Sequence, residues 1–473
     1  MLENTSPSFL KTYLKGEAAF GLWGMVSKGI AGINALLIIT NLDIYRYGLY
    51  VLIFSFYYII TGFFVRPLSE VVFNDIIRFH KENKLPEAKK LLLENFILRL
   101  GVAFIIFLGV FFGANLITRF YGEDLALLFR IISFVFIADA ITSTLRVLIQ
   151  INLRFALLAI RQMLYNGVKF LLLVSFLFFS SLNITEALLA HVIAVFIMTF
   201  SFIPLYIRFF RPWRQVESAR HSVFLGMVKT HGKWAFLSQP LMALGNNARP
   251  WLIKFFISTE AVALYSVAES LFGAVKSLLP MSTLDTLIPR EMSDRARRGA
   301  LLLRGAKYFF IAGVALAGAG LLMIPLAVYL ALPKYESSIP LFLILLIALP
   351  FISLRAWAVQ FVIALRRQRF IFSSNVLKAA LAIISPITLL YLFGIWGMAL
   401  ERILTALIIG TVYYWYLFRF EIDHPNWRAL ISFTSDDRKF LKKVRVAVVA
   451  YLKNLLATGK RRLGGRVRGG KST

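Results

Sequence analysis

Apolar stretches of roughly 20 residues follow one another along most of the chain, each long enough to cross bilayer hydrocarbon as an α-helix. Twelve spans are read, at about 16–40, 47–65, 91–117, 125–150, 159–180, 186–207, 232–257, 262–289, 302–331, 339–364, 370–392 and 396–418. The runs are continuous rather than alternating, which excludes the two-residue period of a membrane β-barrel. The predicted architecture is an all-α integral membrane protein of about 12 transmembrane helices in two six-helix bundles. The first run contains Lys28 and precedes no small-residue cleavage site, so it reads as a span rather than a secretory leader. Pro204, Pro250, Pro280, Pro325, Pro350 and Pro386 fall within or near span ends, where they free backbone carbonyls and favour kinks.

Charge orients the bundle. Of 53 Lys and Arg, 39 fall on the termini and the connections of one side, and only 3 on the other. Cytoplasmic loops collect basic residues, so both termini are expected in the cytoplasm, with the protein multi-pass in the cytoplasmic membrane. The same asymmetry accounts for most of the net charge of +29, and nucleic acid is not needed as a partner. There is no Cys, which removes disulfides, thiol catalysis and Cys-bound metals.

Against 59% hydrophobic residues, the polar ones inside spans stand out. Ala243 to Phe256 reads ALGNNARPWLIKFF, with Asn246, Asn247, Arg249 and Lys254 on about one half of a helix surface. An Arg near mid-bilayer costs about 2.5–3.5 kcal/mol on insertion scales, so it should face water, protein or an anion. Similar stripes carry Asp139, Ser143, Arg146 and Gln150, then Ser266, Glu269, Ser270 and Lys276, then Ser374, Asn375 and Lys378. Lys28, Arg249, Lys254, Lys276, Arg355 and Lys378 are the deepest cations, with Asp139, Glu269 and Glu401 as acidic companions. Facing one chamber, they would leave it positive and concentrate anions by field focusing. Arg249, Lys276, Lys28, Arg355 and Lys378, with Asn246 and Asn247, are therefore the candidate contacts to an anionic headgroup. A structural ion pair is the alternative, for instance Lys276 with Glu269. Arg99, Arg130, Arg146, Lys169 and Arg402 read as snorkelling or paired side chains, and His191 as hydrogen-bonded packing.

The chain divides into a bundle at 1–207, a basic linker at 208–231, a second bundle at 232–420 and a basic tail at 421–473. A shift of 215 positions pairs Leu49-Tyr50 with Leu264-Tyr265, and Asn34 with Arg249, as a parallel repeat would. Within the tail, Phe440, Val444, Val448, Tyr451 and Leu455 share a helical face among lysines, a pattern suited to anionic membrane lipids or to packing on the inner loops. The closing Gly-, Arg- and Lys-rich residues have the composition of unstructured chain. No phosphate-cradling Gly-rich loop with Lys and Ser/Thr, no metal-spaced cluster and no outer-loop carboxylate pair is present, so enzymatic roles have no support.

The pattern resembles the multidrug/oligosaccharidyl-lipid/polysaccharide (MOP) exporter superfamily, specifically its polysaccharide transporter branch with the O-antigen flippases. The resemblance rests on Tyr47-Gly48-Leu49-Tyr50, Leu264-Tyr265, Arg66 and Arg78 after helix 2, Asn246-Asn247, and Gly394-Ile395-Trp396-Gly397, and extends over about residues 10–420. It implies two bundles in a V, alternating access, and a cationic cavity receiving a polyprenyl-pyrophosphate-linked oligosaccharide for lipopolysaccharide-type surface glycan. It implies no bound cofactor, with H+ or Na+ coupling, for which Asp139, Glu269 and Glu401 are the candidates. A polysaccharide polymerase or glycosyltransferases would be its working neighbours. Two other functions stay open: export of drugs or organic cations, which would call for an acidic chamber, and polymerisation or ligation of lipid-linked sugars, which would call for a sizeable outer loop.

Overall fold

The computed structural model describes residues 24, 26–65, 67–121, 125–152, 154–227, 233–279, 295–365 and 367–422. Among these there is no strand. The helices are α1 (Val26–Asn41), α2 (Ile44–Phe64), α3 (Pro67–Lys81), α4 (Leu85–Tyr121), α5 (Ala126–Ile151), α6 (Phe155–Phe179), α7 (Ile184–Arg214) and α8 (Val223–Met227). They continue with α9 (Lys233–Asn247), α10 (Arg249–Phe256), α11 (Thr259–Lys276), α12 (Arg295–Ala331), α13 (Ile339–Ala364), α14 (Gln368–Phe393) and α15 (Ile395–Phe420). A 3-10 turn, Pro333–Ser338, joins α12 to α13. Among the described residues, nine helices are long and apolar enough to span a bilayer. The others read as spans are α1, α11 and the pair α9/α10. The amphipathic tail helix read at 436–456 lies outside the described residues.

Two elements differ from the sequence reading. Residues 67–81 form a helix, not a plain connection, because Val72 and Ile76 bury themselves in one core cluster with Ala88, Leu91 and Leu92 of α4, with Phe73 and Phe79 packed against it. The span expected at 232–257 is two helices, broken at Ala248. Pro250 has no N–H for the carbonyl of Asn246, so the helical ladder cannot run through.

Helix starts at one end of the bundle are fixed by local chemistry. Asp43 caps α2 by accepting from the Arg46 N–H, and Ser258 caps α11 by accepting from the Ala261 N–H. Cap and capped amide are related by the same 215-position offset that pairs Leu49-Tyr50 with Leu264-Tyr265, so the repeat register is a physical one. Asn183 and Glu186 close a capping box on α7, and Arg46 donates to Asn183 Oδ1 at 2.9 Å.

The halves meet along α2. Gly48 lies against the Thr259 backbone and Gly62 against the Ala243 side chain, so a Cβ at either position would collide with α11 or α9. At the charge-poor end the two halves share core. Ile38, Leu42 and Tyr47 pack with Ala263, Val267, Val328 and Tyr335, and Leu52 and Phe129 lie in one cluster with Trp251, Tyr265 and Met398. Lys334 Nζ donates to the carbonyls of Thr40 and Leu42 at 2.7 and 2.5 Å, tying the second half to the end of α1. At the basic end the described cores are separate. Val72, Leu91, Val147 and Trp213 belong to the first half, and Leu302, Trp357, Phe361 and Leu417 to the second. There the described contact between halves narrows to α2 and α3 against α9.

Candidate functional site

Arg249 opens α10 just past the break and is 4% exposed, while Glu401 on α15 is fully buried. Arg249 Nε donates to Glu401 Oε2 at 3.1 Å and Nη2 to Oε1 at 3.2 Å, a forked pair. Arg249 Nη1 donates to the Gly245 carbonyl at 3.1 Å, satisfying an acceptor left over where α9 ends. Thr405 Oγ1 donates to Glu401 Oε1 at 2.6 Å. The Asn247 carbonyl takes a short hydrogen bond from Ser55 of α2, and its own side chain returns to the Ala243 carbonyl at 2.9 Å. Asn246 is exposed. The break in the span is therefore stitched to both halves, and the guanidinium at its centre is neutralised in this conformation.

Three further predicted cations gather beside that pair. Arg355 of α13 and Lys378 of α14 are half-buried, Lys276 at the end of α11 is exposed, and all three lie within electrostatic reach of one another. Arg355 and Lys378 also feel Arg249 and Glu401. Gly410 of α15 packs beside Arg355, whose Cβ sits 3.7 Å from where a glycine Cβ would be, ordinary van der Waals contact. Among the described residues none of these three makes a hydrogen bond or ion pair. The pairing of Lys276 with Glu269 expected as an alternative is not formed. Glu269 meets Arg402 of α15 instead, while Lys276 stands two turns further on, at the last turn of α11.

The structure does not gather all the predicted residues. Lys28 lies exposed on α1, outside the set of charges that Lys276 and Lys378 feel. Asp139 belongs to the other half, where with Arg99 and Arg146 it lines a separate cavity of about 590 Å³. His191 is held by Tyr165, with Nδ1 2.6 Å from the phenol oxygen, and packs edge-on to Phe54. A smaller polar pocket of about 220 Å³, lined by Asn34, Tyr50, Asn166 and Lys169, had no counterpart in the sequence reading. There Asn34 donates to the Asn166 carbonyl at 2.9 Å and Lys169 Nζ to the Tyr50 hydroxyl at 3.3 Å. The step of three from Asn166 to Lys169 puts both on one helix face, a signal the sequence did contain.

Converging cations in such a setting have the chemistry to attract an anion. A forked guanidinium suits oxygen pairs and an ammonium adds a point charge. Among the described residues no group of His, Cys, Asp or Glu could hold a metal ion.

A family profile described as "Polysaccharide biosynthesis protein" matches residues 13–293. The fold is similar to an inward-facing multidrug resistance MATE transporter of the MOP superfamily (13% identity, 84% of this chain and 98% of that one, TM-score 0.67). It is also similar to the lipid II flippase MurJ in an inward closed conformation (13% identity, 95% and 99%, TM-score 0.64). A third similar structure is a MOP superfamily transporter from Pyrococcus furiosus described as having a binding pocket of reverse polarity (13% identity, 89% and 97%, TM-score 0.59). No curated protein sequence is significantly similar. The chain belongs to the polysaccharide biosynthesis protein family, and is a multi-pass membrane protein that shares its fold with MOP superfamily transporters and the lipid II flippase.

Proposed function

We propose that the chain is a flippase that carries a polyprenyl-pyrophosphate-linked oligosaccharide of the O-antigen type across the cytoplasmic membrane by alternating access. The basic end and both termini face the cytoplasm in this reading, as the distribution of Lys and Arg supports. The observation that carries it is the trio Lys276, Arg355 and Lys378, three cations without a described partner beside the Arg249–Glu401 pair. A pyrophosphate is a compact multiple anion that satisfies such a trio without any chemistry. The shared core at the charge-poor end and the separate cores at the basic end fit a state that receives substrate from the cytoplasmic side. Transport then needs only different affinity in the two states.

Arg249 and Glu401 fit this scheme as exchange partners. A proton or Na+ taken by Glu401 releases Arg249 to the headgroup, so that coupling ion and substrate share one guanidinium. Glu269, engaged by Arg402, is the second carboxylate at which such an exchange can occur.

The test is translocation of a fluorescent polyprenyl-pyrophosphate oligosaccharide in proteoliposomes containing the purified protein. The reading expects movement of that lipid and none of a cationic dye. Dye extrusion without lipid movement would replace it with drug export, and glycan chain growth would replace it with a polymerase.

A further inference from the structure

The stripe Asp139, Ser143, Arg146 and Gln150 on α5 plays no part in the cation trio. It lines the cavity of about 590 Å³ in the first half, together with Tyr58 of α2 and Arg99 of α4. Arg99 is 1% exposed. One of its nitrogens, Nη2, donates to Ser143 Oγ, whereas Nε and Nη1 have no partner. Asn95, one turn earlier on the same face of α4, is equally buried and uses neither of its amide atoms. Arg146 stands exposed at the same cavity, and Arg161 of α6 lies within its electrostatic reach with Nε and Nη1 also buried and unpartnered. Two guanidiniums, those of Arg99 and Arg146, thus gather about the carboxylate of Asp139, with that of Arg161 near Arg146.

A buried cation with unused donors is costly, because the donors lose water and gain nothing in exchange. Packing alone gives no reason to keep Arg99 so, since Leu or Met would fill the space. A ligand oxyanion supplies what the site lacks: acceptors for Arg99 and a charge to offset Arg146 and Arg161. The hydroxyls of Ser143 and Tyr58 and the amide of Gln150 add neutral polar wall for the rest of an anionic group.

We propose that this cavity is a second oxyanion-binding site, independent of the Lys276–Arg355–Lys378 trio, in which Arg99 and Arg146 bind a phosphate or carboxylate group. Because it stands on the first half alone, it can hold whether or not the trio binds a headgroup.

The experiment is thermal unfolding of the full chain in detergent with inorganic phosphate or D-glucuronate, each against sodium chloride of equal ionic strength. Ligand bound only to the folded state raises the midpoint with concentration. The proposal expects a rise with at least one anion, lost in R146Q and R99Q and kept in K378Q. Phosphate acting alone assigns the site to phosphate groups, and glucuronate acting alone assigns it to carboxylates. Should R99Q fail to fold, R146Q carries the test, because its side chain is exposed. No rise beyond the chloride control, or a rise lost in K378Q and kept in R146Q, would overturn the proposal.

Discussion

Arg249 and Glu401, 152 residues apart in the chain, meet in a buried ion pair whose shortest contact is 3.0 Å. Removing one partner of such a pair strands a charge and costs about 3–5 kcal/mol, whereas replacing both with apolar residues is often close to neutral. Glu401→Ala is therefore expected to lower the unfolding midpoint sharply, and Arg249→Met combined with Glu401→Leu to recover much of the loss. Midpoints in detergent check this. A single substitution without effect would mean that the pair is not closed in the protein as purified.

Lys334 donates to two carbonyls at the end of α1 and holds the halves together at the charge-poor end. Lys334→Met is expected to loosen that closure. The chain has no Cys, so a single Cys at Ala263, buried in the shared core there, can report it. Labelling of A263C by a membrane-impermeant maleimide should be slow alone and faster with K334M. Equal rates would show that the apolar contacts suffice.

Gly48 is pressed against the Thr259 backbone where α2 meets α11. Gly48→Val forces the two helices apart, and the same A263C reporter should label faster in it. Gly226, with nothing near its missing Cβ, is the control at which Ala leaves labelling unchanged.

The sequence made the spans legible because apolar length is a local property, and the basic side legible because charge is counted without knowing contacts. It also brought out Arg355, Lys378 and Lys276, since a cation deep in an apolar run is visible wherever it points. Pairing was not legible. Nothing near Arg249 in the chain announces Glu401, and the alternative pairing of Glu269 with Lys276 on its own helix gives way to one with Arg402 on α15. Arg99 reads as snorkelling or paired because it sits near a span end with an acidic neighbour, Glu94. Only the packing of α4 against α5 turns it into the cavity with Asp139. The helix at 67–81 does not read as a span because it is short and its apolar positions are interrupted by Ser69, Glu70, Asn74, Asp75 and Arg78.

Orientation has its own test. Single Cys residues at Glu217, between α7 and α8, and at Glu336, in the 3-10 turn, lie at opposite ends of the bundle. With the basic end in the cytoplasm, an impermeant reagent added to intact cells should label position 336 and spare position 217. The reverse pattern would invert the transporter.

The most direct measurement of the central claim is translocation of a polyprenyl-pyrophosphate oligosaccharide by the triple variant K276Q/R355Q/K378Q. These three side chains make no described ion pair, so the variant should fold with an unfolding midpoint near that of the unsubstituted protein. Each lost charge-assisted hydrogen bond to a pyrophosphate is worth about 1.5–3 kcal/mol, roughly tenfold or more in affinity apiece. The account predicts a folded protein that no longer moves the lipid. A folded triple variant that moves it at the original rate would contradict the account.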